Sequence, residues 1–320
     1  MTRYIVRRLL WGALLLVLVS ALTFVLFRVL PTGDPARLRA GRSAGPKVIA
    51  AIRVNLGLNR SLTEQFWLYM RGIFLHFDLG YSYYSSESVR SLIADRLPAT
   101  ISLTLGAAAI WLAAGLAVGI VSAVRRRSKL DRAAMGTALV LISAPEYWLG
   151  LIVLYLFAAD IGKLRILPGA GSYVGLTSDP GKWLTSLILP WLVLAATNAA
   201  VYARLIRGSL IEVMGEDYIR TARAKGLSER TVVLRHGMRS AINPVMTILG
   251  LDIGVLLGGA VLVETVFEIP GIGRLNYDAI THSDFPIVQG TVLVAALFII
   301  VANIVVDIAY AYMDPRVRFS

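Results

Sequence analysis

Apolar residues in this chain collect into long runs broken by polar stretches, not into the short alternating patterns of a soluble domain. Leu9 to Val29 is the first run, about the length that a bilayer core demands, and it follows Arg3, Arg7 and Arg8. A secretory signal has a similar basic start but a shorter apolar region and a small-residue cleavage site. Nothing of that kind precedes Leu30-Pro31, so the run is expected to stay as a membrane-crossing helix. Further runs cover about Ala99 to Val124, Met135 to Ala159, Leu184 to Leu205, Val245 to Val263 and Val288 to Tyr312. Six crossings predict an all-α integral membrane protein with both ends on one side, because only closed hydrogen bonding within each segment survives in lipid.

Two polar stretches have structure of their own. Pro31 to Pro98 is long, mixed and without a span, yet Leu62, Phe66, Tyr69, Ile73 and Phe77 recur at helical spacing. That stripe predicts an amphipathic helix lying at the membrane surface or on the other spans. Glu216 to Pro244 carries helical periodicity as well: Leu210, Val213, Met214, Tyr218, Thr221 and Ala222 would share one face, with Arg220, Arg223 and Lys225 largely on the other. Gly226 supplies the backbone freedom of a helix C-terminus, and Ser228 is a good N-cap for a second helix through Arg239. Asn243-Pro244 reads as a cap and a first-turn proline starting the next span. The expectation is a basic helix-turn-helix over residues 216–239, fixed between two crossings.

Composition agrees with the pattern: 57% of the 320 residues are hydrophobic, 16% are charged and mean hydropathy is +0.68. A formal net charge of +12 could suit nucleic acid, but the basic residues cluster beside apolar runs and form no separate domain. Arg125, Arg126, Arg127, Lys129 and Arg132 crowd one short loop, and Arg204, Arg207 and the helix-turn-helix crowd another. By the positive-inside rule these lie in the cytoplasm with both termini, Arg316 and Arg318 included, and they would also touch anionic lipid. The Pro31–Pro98 region is basic too, but the rule applies poorly to so long a loop. Cysteine is absent, which removes disulfides, thiolate nucleophiles and cysteine-held metals.

Within the spans, Gly250, Gly254 and Gly258 make a small-residue ridge, and Ala107, Gly115 and Gly119 a looser one. Pro145 and Pro190 interrupt apolar helices and permit bends. Glu146, Asp252 and Asp307 are the intramembrane acids. Glu146 falls about eleven residues, or roughly 17 Å of helix, into its span. A charge there facing lipid costs about 2.5–3.5 kcal/mol, so each acid should face a cavity or a partner. Glu146 and Asp252 either line a passage and bind a cationic group or are hydrogen-bonded packing acids. No phosphate-binding loop occurs: Gly181-Lys182 is followed by Trp183, and Leu176 stands at the first glycine position. His76, His236 and His282 lack metal-ligand spacing, and no Gly-x-Ser-x-Gly turn is found. The residues alone allow an ATP-driven importer whose ATPase is another polypeptide, a proton-coupled transporter using Glu146 and Asp252, or a scaffold whose basic hairpin recruits a partner. They also allow the hairpin to be a solvated loop that only sets topology.

Asp217-Tyr218, the run Arg220 to Ser228, and Arg235-His236 resemble the cytoplasmic loop of permease subunits of binding-protein-dependent ABC importers, in their dipeptide, oligopeptide and nickel branch. The general loop pattern begins Glu-Ala-Ala and continues with a Gly and a Pro. Here Arg220 replaces the Glu and Arg239 the Pro, while Ala222 and Gly226 fit. The same branch is resembled by Leu30-Pro31 with Gly33-Asp34-Pro35, where Thr32 looks inserted, and by Leu56-Gly57-Leu58, Asp78 to Ser82 and Arg96 to Thr100. Val263 to Phe267, Pro270 to Leu275, Asp284-Phe285-Pro286 and Asp314-Pro315-Arg316 extend it, so that it covers Tyr4 to Arg318. Glu146 and Asp252 depart from the residues expected inside Ser143-x-Pro145-x-Tyr147-Trp148-x-Gly150 and after Leu249-Gly250-Leu251.

The resemblance implies a type I importer permease fold: a transmembrane helix over 1–30, a long external loop over 31–98, a core over 99–313 and a cytoplasmic tail over 314–320, in the cytoplasmic (inner) membrane. It implies no catalytic, cofactor or metal residue in this chain, with ATP and Mg held by two ABC ATPase subunits. The other partners would be a second homologous permease, an external solute-binding protein and a di- or oligopeptide substrate; no nucleic acid is involved. Tyr218, Thr221, Ala222, Lys225, Gly226 and Leu227 would dock on the ATPase, and the external loops would meet the binding protein.

Overall fold

In a computed structural model, which describes residues 2–29, 34–41 and 44–313, every long apolar run is helical and no strand forms among the described residues. Helix α1 (Thr2–Phe24) ends in a π-helical turn, Val25–Val29. The stretch between the first two apolar runs holds α2 (Pro35–Ala40), α3 (Pro46–Asn55) and α4 (Leu62–His76). The core follows with α5 (Val89–Val124), α6 (Lys129–Ser143), α7 (Glu146–Phe157) and α8 (Pro180–Val213). After the hairpin helices α9 (Asp217–Ala224), α10 (Glu229–Thr231) and α11 (Met238–Ala241) come α12 (Asn243–Leu257), α13 (Val261–Val266), α14 (Ile272–Thr281) and α15 (Phe285–Met313).

Val6–Phe27, α5, α8 and Phe285–Val306 are each long and apolar enough to cross a membrane. Two bent pairs pass the same test of length and composition together: α6 with α7 at 104°, and α12 at 54° to Glu229–Ala241, which takes in the hairpin arm expected outside the membrane. Counting each pair as one span gives the six expected. The first break sits at Ala144 and Pro145, both in extended conformation, because a proline ring pushes the residue before it out of the helical region. Pro190 has no such effect. It is buried inside continuous α8, where packing on both flanks outweighs one lost backbone bond.

Helices α5 and α8 form the central pair. Their seam is built on missing side chains: a Cβ on Gly115 would lie 2.6 Å from Tyr202 Cβ, and one on Gly119 2.2 Å from Ile206 Cγ2. Leu103, Trp111, Leu187, Leu194 and Ile206 are fully buried around it. Helices α12 and α15 repeat the device, with Gly250 against Val306, Gly254 against Ala302 and Gly258 against Ala295. The glycine ridge read from the sequence therefore packs helix on helix.

Two starts differ from expectation. The second span begins at Val89, ten residues before the expected Ala99, and carries Pro98 within it. Ser88 supplies the N-cap, and burial of Val89 and Ile93 against Ile272 and Ile287 holds the extra turns. Asn243 is not a cap but the first helical residue of α12; Ile242 precedes it in helical conformation, so the chain bends without leaving the helix. The amphipathic stripe is found where predicted: α4 is capped by Ser61, and Phe66 and Tyr69 pack on Phe24 of α1 with ring centroids 5.3 and 5.6 Å away. Helices α2 and α3 were not anticipated, although Asp34-Pro35 and Gly45-Pro46 are start signals. The Leu30-Pro31, Gly33 and Asp314-Pro315-Arg316 motifs and the side chain of Asp307 lie outside what is described.

Gly254→Val forces a branched side chain onto Ala302 and the Ile299 backbone, each 2.9 Å from the ideal Cβ, whereas Gly136 has nothing within 4 Å. Overpacking costs about 1–3 kcal/mol. Thermal unfolding in detergent should show Gly254→Val melting several degrees lower than Gly136→Val; equal melting would contradict the seam.

Candidate functional site

The helix-turn-helix forms, but its first arm is not continuous with the Leu210–Met214 stretch that was expected to share its face. Helix α8 ends at Val213, the chain turns at Met214 to Glu216, and α9 starts with Glu216 as its cap. The break rotates the buried face: Ile219 and Ala222 close on Val232, with Met214 packed beside them. Tyr218, Thr221, Lys225, Gly226 and Leu227 are left exposed. Ala222 belongs to the hairpin's own core at 6% exposure, and Ile219, fully buried, is the face residue that the periodicity missed. Gly226 turns the chain at φ 75°, a left-handed conformation. Ser228 caps the second arm, accepting from Thr231 N at 3.4 Å, and a π-helical stretch, Val232–Gly237, joins α10 to α11.

Polar contacts brace the two arms. Arg223 Nε donates to Glu229 Oε1 at 2.6 Å across the turn, and the Tyr218 and Ser240 hydroxyls lie 3.1 Å apart. A second cluster, Leu210, Val233 and Ala241, anchors the hairpin to the end of α8. The hairpin is thus internally tied and rooted in the longest core helices, with its outer face free.

One turn up α8, Arg207 meets Asp131 of α6 through two bonds, Nε to Oδ1 at 2.7 Å and Nη2 to Oδ2 at 2.9 Å. Asp131 also accepts from Ser122 Oγ of α5 and from Arg127 N at 2.8 Å. This buried acid joins α5, α6 and α8 directly above the hairpin. Sequence reading took Arg207 as a topology signal only; the clue was Ser128, three residues before Asp131, which is the cap of a helix turning the acid inward.

Of the intramembrane acids, Glu146 opens α7 at the 104° break and accepts from Thr197 Oγ1 of α8 at 3.3 Å. Asp252 of α12 accepts from Tyr202 of α8 at 2.8 Å. Both acids are half-buried and both lean on α8, one helix turn and a half apart. Tyr147, Trp148 and Leu151 beside Glu146, and Leu251 and Val255 beside Asp252, are exposed. No cluster of metal-ligating groups occurs among the described residues.

The ends of the core helices far from the hairpin are held by a third acid that sequence reading left unassigned. Glu264 of α13 is fully buried and accepts from Thr100 Oγ1 of α5 at 2.8 Å and from Arg274 N at 2.9 Å. Thr100 in turn accepts from Ile272 N at 2.9 Å. A Cβ on Gly271 would fall 2.2 to 2.4 Å from the carboxyl atoms, and one on Gly273 3.0 Å from Oε2. Three sequence motifs, Arg96 to Thr100, Val263 to Phe267 and Pro270 to Leu275, thus meet at one carboxyl group. Asp284 does the same at the next level, accepting from Ser82 Oγ and from Tyr83 N at 3.0 Å.

Glu264 follows the break after α12, outside the spanning helices, and burial pushes its carboxyl above the ordinary range in spite of the hydrogen bonds it accepts. A carboxyl whose folded pKa is raised binds more protons folded than unfolded, so stability falls as pH rises from the unfolded value through the folded one. Melting of the native chain should therefore drop relative to Glu264→Gln as pH rises above the ordinary carboxylate range. A gap that stays constant through that rise would show that the buried group does not titrate.

Residues 1–104 match the family described as binding-protein-dependent transport system membrane component, N-terminal, and residues 115–319 match the binding-protein-dependent transport system inner membrane component. A Brucella abortus protein, provisionally named a peptide transport system permease, is 42% identical over 320 residues, which is 100% of each chain. The glutathione transport system permease GsiC of Pectobacterium atrosepticum is 43% identical over 320 residues, again 100% of each. An inward-facing structure of the MetNI methionine ABC transporter superposes with a TM-score of 0.55 at 16% identity, over 70% of this chain and 97% of that one.

Proposed function

Because the chain belongs to the binding-protein-dependent transport system inner membrane components, the multi-pass permeases of ABC importers, we propose that its cargo is a di- or oligopeptide and that the 216–239 hairpin couples it to ATP hydrolysis. A permease of this family works with an ATPase, a binding protein and a partner permease, and this chain is the membrane subunit. The family match favours an ATP-driven importer over a proton carrier or a scaffold. Peptide cargo rests on relatives named for peptide and glutathione transport that align end to end with this chain.

The observation that carries the coupling role is the exposed outer face of a hairpin that is braced within itself. Tyr218, Thr221, Lys225, Gly226 and Leu227 offer a surface of mixed polar and apolar groups, and Ala222 keeps it in shape from beneath. Two ATPase subunits closing on ATP would push one such hairpin on this permease and one on a homologous partner. The force enters α8 through Leu210 and α6 through Asp131 and Arg207. In this reading the hairpin and both termini lie in the cytoplasm and residues 31–98 outside, in keeping with the basic residues beside the hairpin. Glu146 and Asp252 would line the passage on the side that the second permease closes. A carboxylate at either position avoids lipid, and a peptide's ammonium end is a fitting partner for it.

Purification of the assembled complex in mild detergent should bring down a second permease and ATPase chains. In that complex Gly226→Val, strained at a positive φ but free of clashes, should keep ATP hydrolysis while peptide uptake falls at least about tenfold, since a rigid contact is misplaced. Uptake and hydrolysis that fall together would count against the hairpin as the coupling element. Glu146→Gln with Asp252→Asn should lower uptake of peptides with a free amino end and spare those with an acetylated one; equal uptake of both would remove the acids from the passage.

A further inference from the structure

A cavity of about 540 Å³ opens between α1, α4, α5 and α15, and neither Glu146, Asp252 nor any hairpin residue lines it. That volume is in the range of a small-ligand pocket. Its walls are apolar almost throughout: Leu16 from α1, Phe74 and Phe77 at the end of α4, and Leu293 and Leu297 from α15. The one hydroxyl in the lining, Ser20, is already occupied, donating to Leu16 O at 2.7 Å. The one charge is Arg90, whose guanidinium is exposed and makes no ion pair among the described residues.

The placement of that charge is ordered. Arg90, Ile93, Ala94 and Leu97 all line the cavity from α5, and their spacing of three, four and seven residues makes one stripe down the helix. Arg90 stands in the first turn and Leu97 about 10 Å deeper. Helix α5 has 36 residues, more than a hydrocarbon core of about 30 Å requires, and its first turns carry Arg90, Asp95 and Arg96 while no charge follows until Arg125, so the surplus length falls at the headgroup level of this end. A cation at headgroup level over an apolar slot that runs toward the core is the layout of an acidic phospholipid. Phe77, held at φ 51° and 70% exposed, forms the lip beside it.

We propose that this slot binds an anionic glycerophospholipid, its phosphate on Arg90 and one acyl chain along Ile93, Ala94 and Leu97 against Leu297. The site needs only that α5 crosses a bilayer. It stands apart from the transport reading and from the question of which face is outside. By filling the gap between α1 with α4 and the α5–α15 pair, the lipid would splint α1 and α4 onto the core.

Native mass spectrometry of the purified complex, after exchange into mixed micelles containing phosphatidylglycerol or phosphatidylcholine, tests the site. The native chain should retain phosphatidylglycerol through delipidation in preference to phosphatidylcholine. Arg90→Gln should weaken that retention about fivefold, the worth of one cation beside an anionic headgroup. Ala94→Trp, made at an exposed helix position, should fill the slot and abolish retention, while Arg71→Gln, an exposed arginine of α4 outside the cavity, should leave it unchanged. Equal retention of the two lipids, indifference to both the Arg90 and Ala94 changes, or a crosslink from position 94 to a co-purified polypeptide would each overturn the proposal.

Discussion

The close approach of α5 and α8 is the constraint on which the remaining architecture rests. Two helices of 36 and 34 residues run together because glycine at 106, 115 and 119 lets Trp191, Tyr202 and Ile206 sink into the facing backbone. In lipid there is no hydrophobic drive to bring helices together, so contact area and hydrogen bonds have to do it. Once this pair is fixed, each other core element attaches to one of its levels. Helix α14 packs on the outer end of α5, α7 and α12 meet the middle of α8, and α6 is clamped to both near the hairpin.

The acids mark those levels. None of Asp131, Glu146, Asp252, Glu264 and Asp284 faces the chain's surface as a lone charge. Asp131 alone has a cationic partner at hydrogen-bond distance; the others are held by hydroxyls and backbone amides. Neutral donors fix the orientation of these carboxyls, so the side chains of Glu146 and Asp252 are held against α8.

Much of this was legible in the sequence, and the reason is the bilayer. Length and hydropathy alone mark the crossings, the glycine ridge on α12 announces a close neighbour, and Gly226 with Ser228 announces the turn between α9 and α10. What was illegible depends on tertiary context. Pro145 and Pro190 look alike in sequence, yet one breaks a span and the other is buried within a helix, because only the second is packed along its flanks. The break at Met214 to Glu216 moved the hairpin's buried face from Tyr218 to Ile219, a shift that periodicity across an unseen break cannot report. The Glu264 cradle was present as three separate motifs, and only the fold brings Thr100 to residues more than 160 positions away.

Helix α8 carries side-chain bonds at four successive heights: Trp191 to Ser102 O at 3.0 Å, Thr197 to Glu146, Tyr202 to Asp252, and Arg207 to Asp131. They leave the helix toward three different neighbours, α5, the α6–α7 pair and α12. Twisting α8 about its long axis would shear all of them at once. With the glycine seam to α5, these bonds lock α8 against spin, so the helix and its neighbours form one keyed shaft.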